Sequence, residues 1–164
     1  MPLFRRKDGD LVTDTSPLRR MLPFLLPTRT ESFVLVSKQI DATRTKAFLK
    51  ELNANRPPER RVTRFHLLLR SVALMFHSRP RLNRFVAGGR LYQRRGVWLT
   101  FTGKAAMDGG APEYTLKREF RADETLLEMV DALCDGIRVG RAGKESKAVR
   151  EVKLLLRLPA PLLR

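Results

Sequence analysis

The chain is poor in the residues that build disulfides, metal centres and catalytic dyads. Its 164 residues include one cysteine, Cys134, and two histidines, His66 and His77. A lone cysteine cannot form an internal disulfide, and these three residues do not have the spacing of a closed metal site. We therefore expect no cross-linked scaffold and no bound metal, and a reducing cytoplasm as the compartment.

Long apolar runs are also missing. The longest candidates, residues 21–26 and 154–158, fall far short of the roughly 20 residues that a membrane span needs. The basic residues near the N-terminus are followed by Asp-Gly-Asp, which is not the apolar core of a secretory signal. We expect no membrane segment and no targeting signal. The length fits one domain at residues 18–164, preceded by a flexible tail at residues 1–17.

Acidic residues are scarce, with 17 against 33 basic residues and a net charge of +16. Such a charge favours anionic partners through salt-sensitive attraction. The 24 arginines are spread along the whole chain, however, which favours a solvated basic surface over a dedicated patch. A nucleic-acid site would also need exposed aromatic rings among the arginines, and the candidates are Tyr92, Trp98 and Tyr114. Non-specific nucleic-acid binding remains an alternative.

Apolar periodicity predicts strands and helices in alternation, which is typical of an α+β domain. Strands are predicted at residues 33–40, 90–93, 97–102 and 113–120. The short Arg94-Arg95-Gly96 connection predicts that the second and third of these pair antiparallel. A loop is predicted at residues 103–112.

Helices are predicted after capping residues Asp41, Thr63 and Asp123, the second of them ending at Pro80. Its apolar residues predict one broad buried stripe: Phe65, Leu68, Leu69, Val72, Ala73 and Phe76. A last helix is expected at residues 145–158. Prolines break residues 18–27, so we expect at most one turn of helix or an extended arm there.

The end of the second predicted helix carries a family resemblance. Its sequence Arg79-Pro80-Arg81-Leu82-Asn83 resembles the Pro-x-Leu-Asn segment that ends a core helix in the catalytic domains of 2-oxoacid dehydrogenase acyltransferases. That family shares the fold of chloramphenicol acetyltransferase. Residues 33–41 resemble its first strand and the entry to the next helix, and Arg19-Arg20 its basic entry segment. The similarity spans residues 18–143 and covers only the N-terminal part of the family's domain.

The resemblance implies a two-layer α/β sandwich, a mixed sheet with helices on one face, whose C-terminal part is missing from this chain. It also implies acyl transfer between coenzyme A and a thiol acceptor such as dihydrolipoamide, within a trimer whose active sites lie between subunits. A coenzyme A thioester would be a substrate, and no covalently bound cofactor is expected.

The family's general base is the histidine of a His-x-x-x-Asp-Gly motif, which takes the proton of the attacking thiol. Arg70 and Arg81 stand four residues after His66 and His77, so neither histidine fits the motif. We name no catalytic residue, and we interpret Cys134 as a small buried hydrophobe. The sequence thus predicts an acyltransferase-family domain that is inactive as this chain. The alternatives are a non-catalytic assembly protein of the same fold and a basic nucleic-acid-binding protein.

Overall fold

The computed structural model describes residues 6–106, 108, 111 and 113–142. This part of the chain is an α+β structure, as the sequence predicts. Its helices are α1 (Pro17–Leu25), α2 (Thr43–Leu52), α3 (Arg64–Ser78) and α4 (Leu126–Arg141). Its strands are β1 (Gly9–Leu11), β2 (Arg84–Ala87), β3 (Arg90–Arg94), β4 (Trp98–Lys104) and β5 (Glu113–Glu119). The helix predicted at residues 145–158 lies outside the described residues.

The strands form two small antiparallel sheets, ordered β1-β3-β2 and β4-β5, and not the predicted mixed sheet. The predicted pairing of β3 with β4 is also wrong within the described residues. The tight hairpin instead joins β2 to β3, because Gly88 and Gly89 both take positive φ values, +56° and +69°. A two-residue turn of that kind matches the twist of paired strands. The Arg94-Arg95-Gly96 connection carries the chain from one sheet to the other.

Strand β1 corrects the prediction that residues 1–17 are a flexible tail. It pairs antiparallel with β3, with Asp10 opposite Gln93. A Cβ atom on Gly9 would come within 2.8 Å of both the Gln93 carbonyl oxygen and the Phe85 ring. The close approach of this edge strand therefore depends on glycine, and a three-residue strand is too short to show a period-2 pattern in the sequence.

Helix α1 is longer than the single turn predicted, although Pro23 lies inside it. A proline at that position removes one backbone donor, while the flanking helical bonds persist: Arg20 N–H donates to the Ser16 carbonyl and Leu26 N–H to that of Leu22. Packing holds the helix in place, since the Phe24 ring lies over Gly89 in the β2–β3 turn.

The predicted strand at residues 33–40 is absent. This segment is exposed along its whole length, and Val34 and Val36 keep 82% and 86% of their accessible surface. Apolar, β-branched composition favours a strand only where a neighbouring strand supplies hydrogen bonds and a packing surface. Within the described residues no strand pairs with this segment.

Of the three predicted helix caps, Thr63 of α3 is confirmed. The N-cap of α2 is Ala42 and not the predicted Asp41, whose carboxylate lies one residue earlier and accepts the Thr43 N–H (2.9 Å). Helix α4 is capped by Thr125 and not by the predicted Asp123. The reason is Glu128, whose carboxylate accepts the Thr125 N–H (2.8 Å) and completes a reciprocal capping box.

The core lies where α3 and α4 pack against the β4–β5 hairpin. Its buried members are Val62, Leu69, Ala73, Val97, Phe120, Met129, Val130 and Leu133. The predicted alternation in the hairpin is confirmed, with Val97 buried and Trp98 exposed. The predicted stripe of α3 is only partly buried, because Phe65 and Leu68 remain 47% and 59% exposed.

Helix α4 approaches β5 closely through two glycines one turn apart. A Cβ atom on Gly136 would lie 2.9 Å from a methyl carbon of Leu116, and one on Gly140 2.5 Å from the Tyr114 ring. Small residues at these positions let the helix backbone lie against large strand side chains. The two glycines therefore fix the position of α4 on the hairpin, because only there can the helix backbone come this close to β5.

Candidate functional site

His66 is part of a helix cap. It is 7% exposed at the third position of α3, where its Nδ1 atom accepts the Thr63 N–H (3.2 Å) while the Thr63 hydroxyl accepts the His66 N–H. Burial lowers the pKa of His66 below its ordinary value. A ring nitrogen that accepts a hydrogen bond must be unprotonated, so the geometry and the pKa both favour neutral imidazole.

This arrangement predicts a pH dependence of stability. Because the pKa of His66 is lower in the folded protein, its neutral form stabilises the fold above the ordinary histidine value near 6.5. That stabilisation is lost as the pH falls below this value. In His66→Gln the glutamine can still accept the Thr63 N–H, so the variant should lose less stability between about pH 7.5 and 5 than wild type. Urea denaturation at both pH values measures this, and equal losses would contradict it.

His77 ties the end of α3 to the end of β5. Its Nε2 atom lies 2.8 Å from the Phe120 carbonyl oxygen, and its ring is half-buried. Neither described histidine is hydrogen-bonded to a carboxylate, the partner that orients and supports a catalytic imidazole. Both side chains therefore have structural roles in the described part of the chain.

Cys134 lies half-buried on α4, and burial raises the pKa of its thiol above the ordinary value. A raised pKa keeps the thiol protonated and makes it a poor nucleophile. Around it, Arg56 and Arg60 pair with carboxylates of α4. Arg56 lies 2.5 Å from Asp131, and Arg60 lies 2.9 Å from Asp135. These ion pairs fasten the loop before α3 onto α4.

Two other classes of site find no support in the residues that the structure describes. No group of three or more histidine, cysteine, aspartate or glutamate side chains could hold a metal ion there. None of the helices in that part of the chain is long and apolar enough to cross a bilayer.

The aromatic residues proposed for nucleic-acid stacking do not share a surface. Tyr92 is buried (3% exposed), and Tyr114 is half-buried beside Gly103 and Gly140. Trp98 alone of the three is exposed, at 42%, and the Lys117 ammonium group lies 5.5 Å from its ring centroid. A row of stacking platforms is therefore not present among these three residues.

A cleft lined by arginines opens between α1, the chain after it, and the β2–β3 hairpin. Its volume is 960 Å³, and four arginines line it: Arg19, Arg29, Arg81 and Arg84. We call it the arginine cleft. Arg19 and Arg29 lie in and after α1, whereas Arg81 and Arg84 lie just before and at the start of β2, so no single local motif marks the cleft. Sequence reasoning singled out Arg19 and Arg81 only through the family resemblance and did not place them together.

The second unusual surface is apolar. The exposed 33–40 segment has no described strand beside it, and α3 exposes Phe65, Leu68 and Met75 on one side. The Phe65 ring packs edge-on against Phe101 of β4, with 5.6 Å between centroids. The exposed side of α3 therefore lies next to β4.

Comparison with models of protein families finds none that matches the chain, and comparisons with curated proteins and with solved structures find no match either. The resemblance to acyltransferase catalytic domains therefore stays a prediction.

Proposed function

We propose that this chain is a non-catalytic assembly module, built like the N-terminal part of a chloramphenicol acetyltransferase-type domain, that associates with copies of itself. The element order supports that architecture: a long helix ending at Pro80, a hairpin, and an amphipathic helix packed on that hairpin. The absence of the His-x-x-x-Asp-Gly motif and the structural roles of His66 and His77 support a role without acyl transfer.

The observation that carries the proposal is the unused outer edge of β4. The Val97 carbonyl accepts the Phe120 N–H, so Val97 belongs to a hydrogen-bonded pair. In an antiparallel ladder the alternate residues turn their N–H and C=O groups the other way. The N–H and C=O groups of Trp98, Thr100 and Thr102 therefore point away from β5. On that side no described strand pairs with β4. An unpaired edge of this kind is a template for another strand.

The 33–40 segment has the properties of the missing strand. It is rich in β-branched and apolar residues, and it is fully exposed in the single chain. At about 3.3 Å per residue it would span about 26 Å, close to the length of β4. A strand added to β4 would also lie beneath the exposed Phe65 and Leu68 of α3 and cover them. We therefore expect the segment of one copy to pair with β4 of another, by strand addition.

The test is the molar mass of the purified chain by light scattering at about 50 μM, within the micromolar range where weak interfaces form. We expect an oligomer for wild type and a monomer for Val34→Lys/Val36→Lys, because two charges on one face of the strand cannot be buried. Leu18→Lys/Val139→Lys is the matched control, since it adds the same two charges at exposed apolar positions elsewhere and should stay oligomeric.

A backbone test separates strand pairing from unspecific apolar contact. Leu35→Pro and Val36→Pro each remove one N–H group, and one of the two must face the partner strand. One of these variants should therefore dissociate more than the corresponding alanine variant. A monomeric wild type would overturn the assembly role, and turnover of acetyl-coenzyme A with dihydrolipoamide would overturn the non-catalytic role.

A further inference from the structure

The arginine cleft brings together arginines that form no ion pair in the described structure, although the Glu31 carboxylate lies nearby and accepts the Thr28 N–H (3.1 Å). Arg19, Arg29 and Arg81 form no ion pair or side-chain hydrogen bond within the described residues. Arg84 donates its Nε–H to the Gln93 side-chain oxygen (3.1 Å), a neutral acceptor. Among the residues that the structure describes, no aspartate or glutamate lines the cleft. Elsewhere the chain pairs its arginines readily, as Arg95 with Asp10 and Arg121 with Asp123.

Arg19, Arg29 and Arg81 are exposed and Arg84 is half-buried, so water screens their mutual repulsion, and an anion bound in the cleft would gain from several positive charges at once. Guanidinium groups suit phosphate and carboxylate in particular, because their planar forks donate two parallel hydrogen bonds to such anions. The charge of the cleft therefore favours an oxyanion head group.

Apart from Thr28 and Ser32, the remaining walls of the cleft are apolar. Val86 and Leu91 lie directly opposite each other in the β2–β3 pair, so their side chains share one face of the sheet. Leu22 and Leu26 line the cleft from α1 and the chain just after it, and each keeps about 40% of its surface exposed. A fully hydrated anion such as inorganic phosphate would leave this apolar surface in water, whereas an alkyl chain would cover it.

We propose that the arginine cleft binds an amphiphile with one alkyl chain and one anionic head group, a phosphate or a carboxylate. The arginines hold the head group, and the alkyl chain lies along Val86, Leu91 and Leu22. The volume of 960 Å³ is large enough for a small amphiphile, which the open cleft would cover on one side. This binding role goes beyond the assembly function and does not depend on the 33–40 segment or on β4.

The test is calorimetric titration of the full chain with monomeric dodecyl phosphate. Arg29→Gln/Arg81→Gln should weaken binding at least about tenfold, since it removes two charge-assisted contacts. Arg44→Gln/Arg64→Gln is the matched control, because it removes the same net charge from exposed arginines outside the cleft and should change affinity less than about threefold. Inorganic phosphate and neutral dodecyl maltoside should each bind at least about tenfold more weakly than dodecyl phosphate.

The same head group could come from a free amphiphile or from a membrane lipid. Vesicles of phosphatidylglycerol, with phosphatidylcholine vesicles as reference, distinguish the two sources. Binding of monomeric dodecyl phosphate that is lost in Arg29→Gln/Arg81→Gln supports the cleft. Equal loss in both arginine pairs, equal affinity for dodecyl maltoside, or binding to anionic vesicles alone would overturn it. Because Val34→Lys/Val36→Lys leaves the cleft intact, the assembly proposal and the cleft proposal can fail separately.

Discussion

Replacing Leu133 with alanine should lower the free energy of unfolding by about 2–5 kcal/mol. Leu133 is fully buried on α4, in the core shared with α3 and the β4–β5 hairpin. Truncation removes apolar contacts and leaves a cavity that neighbours such as Phe120 and Met129, also fully buried, cannot easily fill. The measurement is the urea denaturation midpoint and slope of both proteins.

Leu127→Ala is the matched control for this prediction. Leu127 lies on the same helix, and the substitution has the same effect on helix propensity, but Leu127 is 37% exposed. Its replacement should cost clearly less, about 1 kcal/mol or below. Equal losses for the two variants would contradict the assignment of the core to this face of α4.

Arg118→Met should cost about 3–5 kcal/mol, because it leaves a buried carboxylate without its counter-ion. The Arg118 guanidinium pairs with Glu124, donates to the Met129 carbonyl (3.0 Å) and lies over the Phe120 ring. The Glu124 side chain is only 9% exposed, and its Oε2 atom has no hydrogen-bond partner among the described residues. Removing the arginine would leave that charge both desolvated and unpaired.

Arg121→Met provides the comparison, since it breaks an arginine–carboxylate pair three residues away that is exposed. Arg121 and Asp123 keep 69% and 68% of their side-chain surface in solvent, so breaking their pairing should change the unfolding free energy far less than Arg118→Met does. The double variant Arg118→Met/Glu124→Gln should recover part of the loss by removing the unpaired charge. Equal effects of Arg118→Met and Arg121→Met in denaturation experiments would show that the Glu124 environment does not penalise charge.

Local signals in the sequence located α2, α3 and α4 and three strands, β3, β4 and β5. Thr63 caps α3, Pro80 prevents it from continuing, and the alternation of Val97 and Trp98 gives the two faces of β4. Each of these features depends on residues within one turn or two strand positions of each other. Reading them requires only the periodicities of the helix and the strand.

The predictions from the sequence of which strands pair with each other are wrong. The 33–40 segment has the composition of a strand but no described partner, and β3 pairs with β1 and β2 in place of β4. Residues 9–11 complete this sheet, although the sequence predicts a flexible tail there. A strand forms only when another backbone presents its hydrogen-bonding groups at the right distance, and composition does not specify which one does.

The sequence by itself determined the α+β class, the cap of α3 and the absence of the family's histidine motif. Tertiary structure alone decided three further features. It gave His66 a structural hydrogen bond, left the outer edge of β4 without a described partner strand, and brought Arg19 and Arg29 close to the distant Arg81 and Arg84 around one cleft. The physical reason is the distance along the chain over which each interaction acts. Caps and periodicity act within a few residues, whereas burial, strand pairing and charge clustering join residues that only the folded chain brings together.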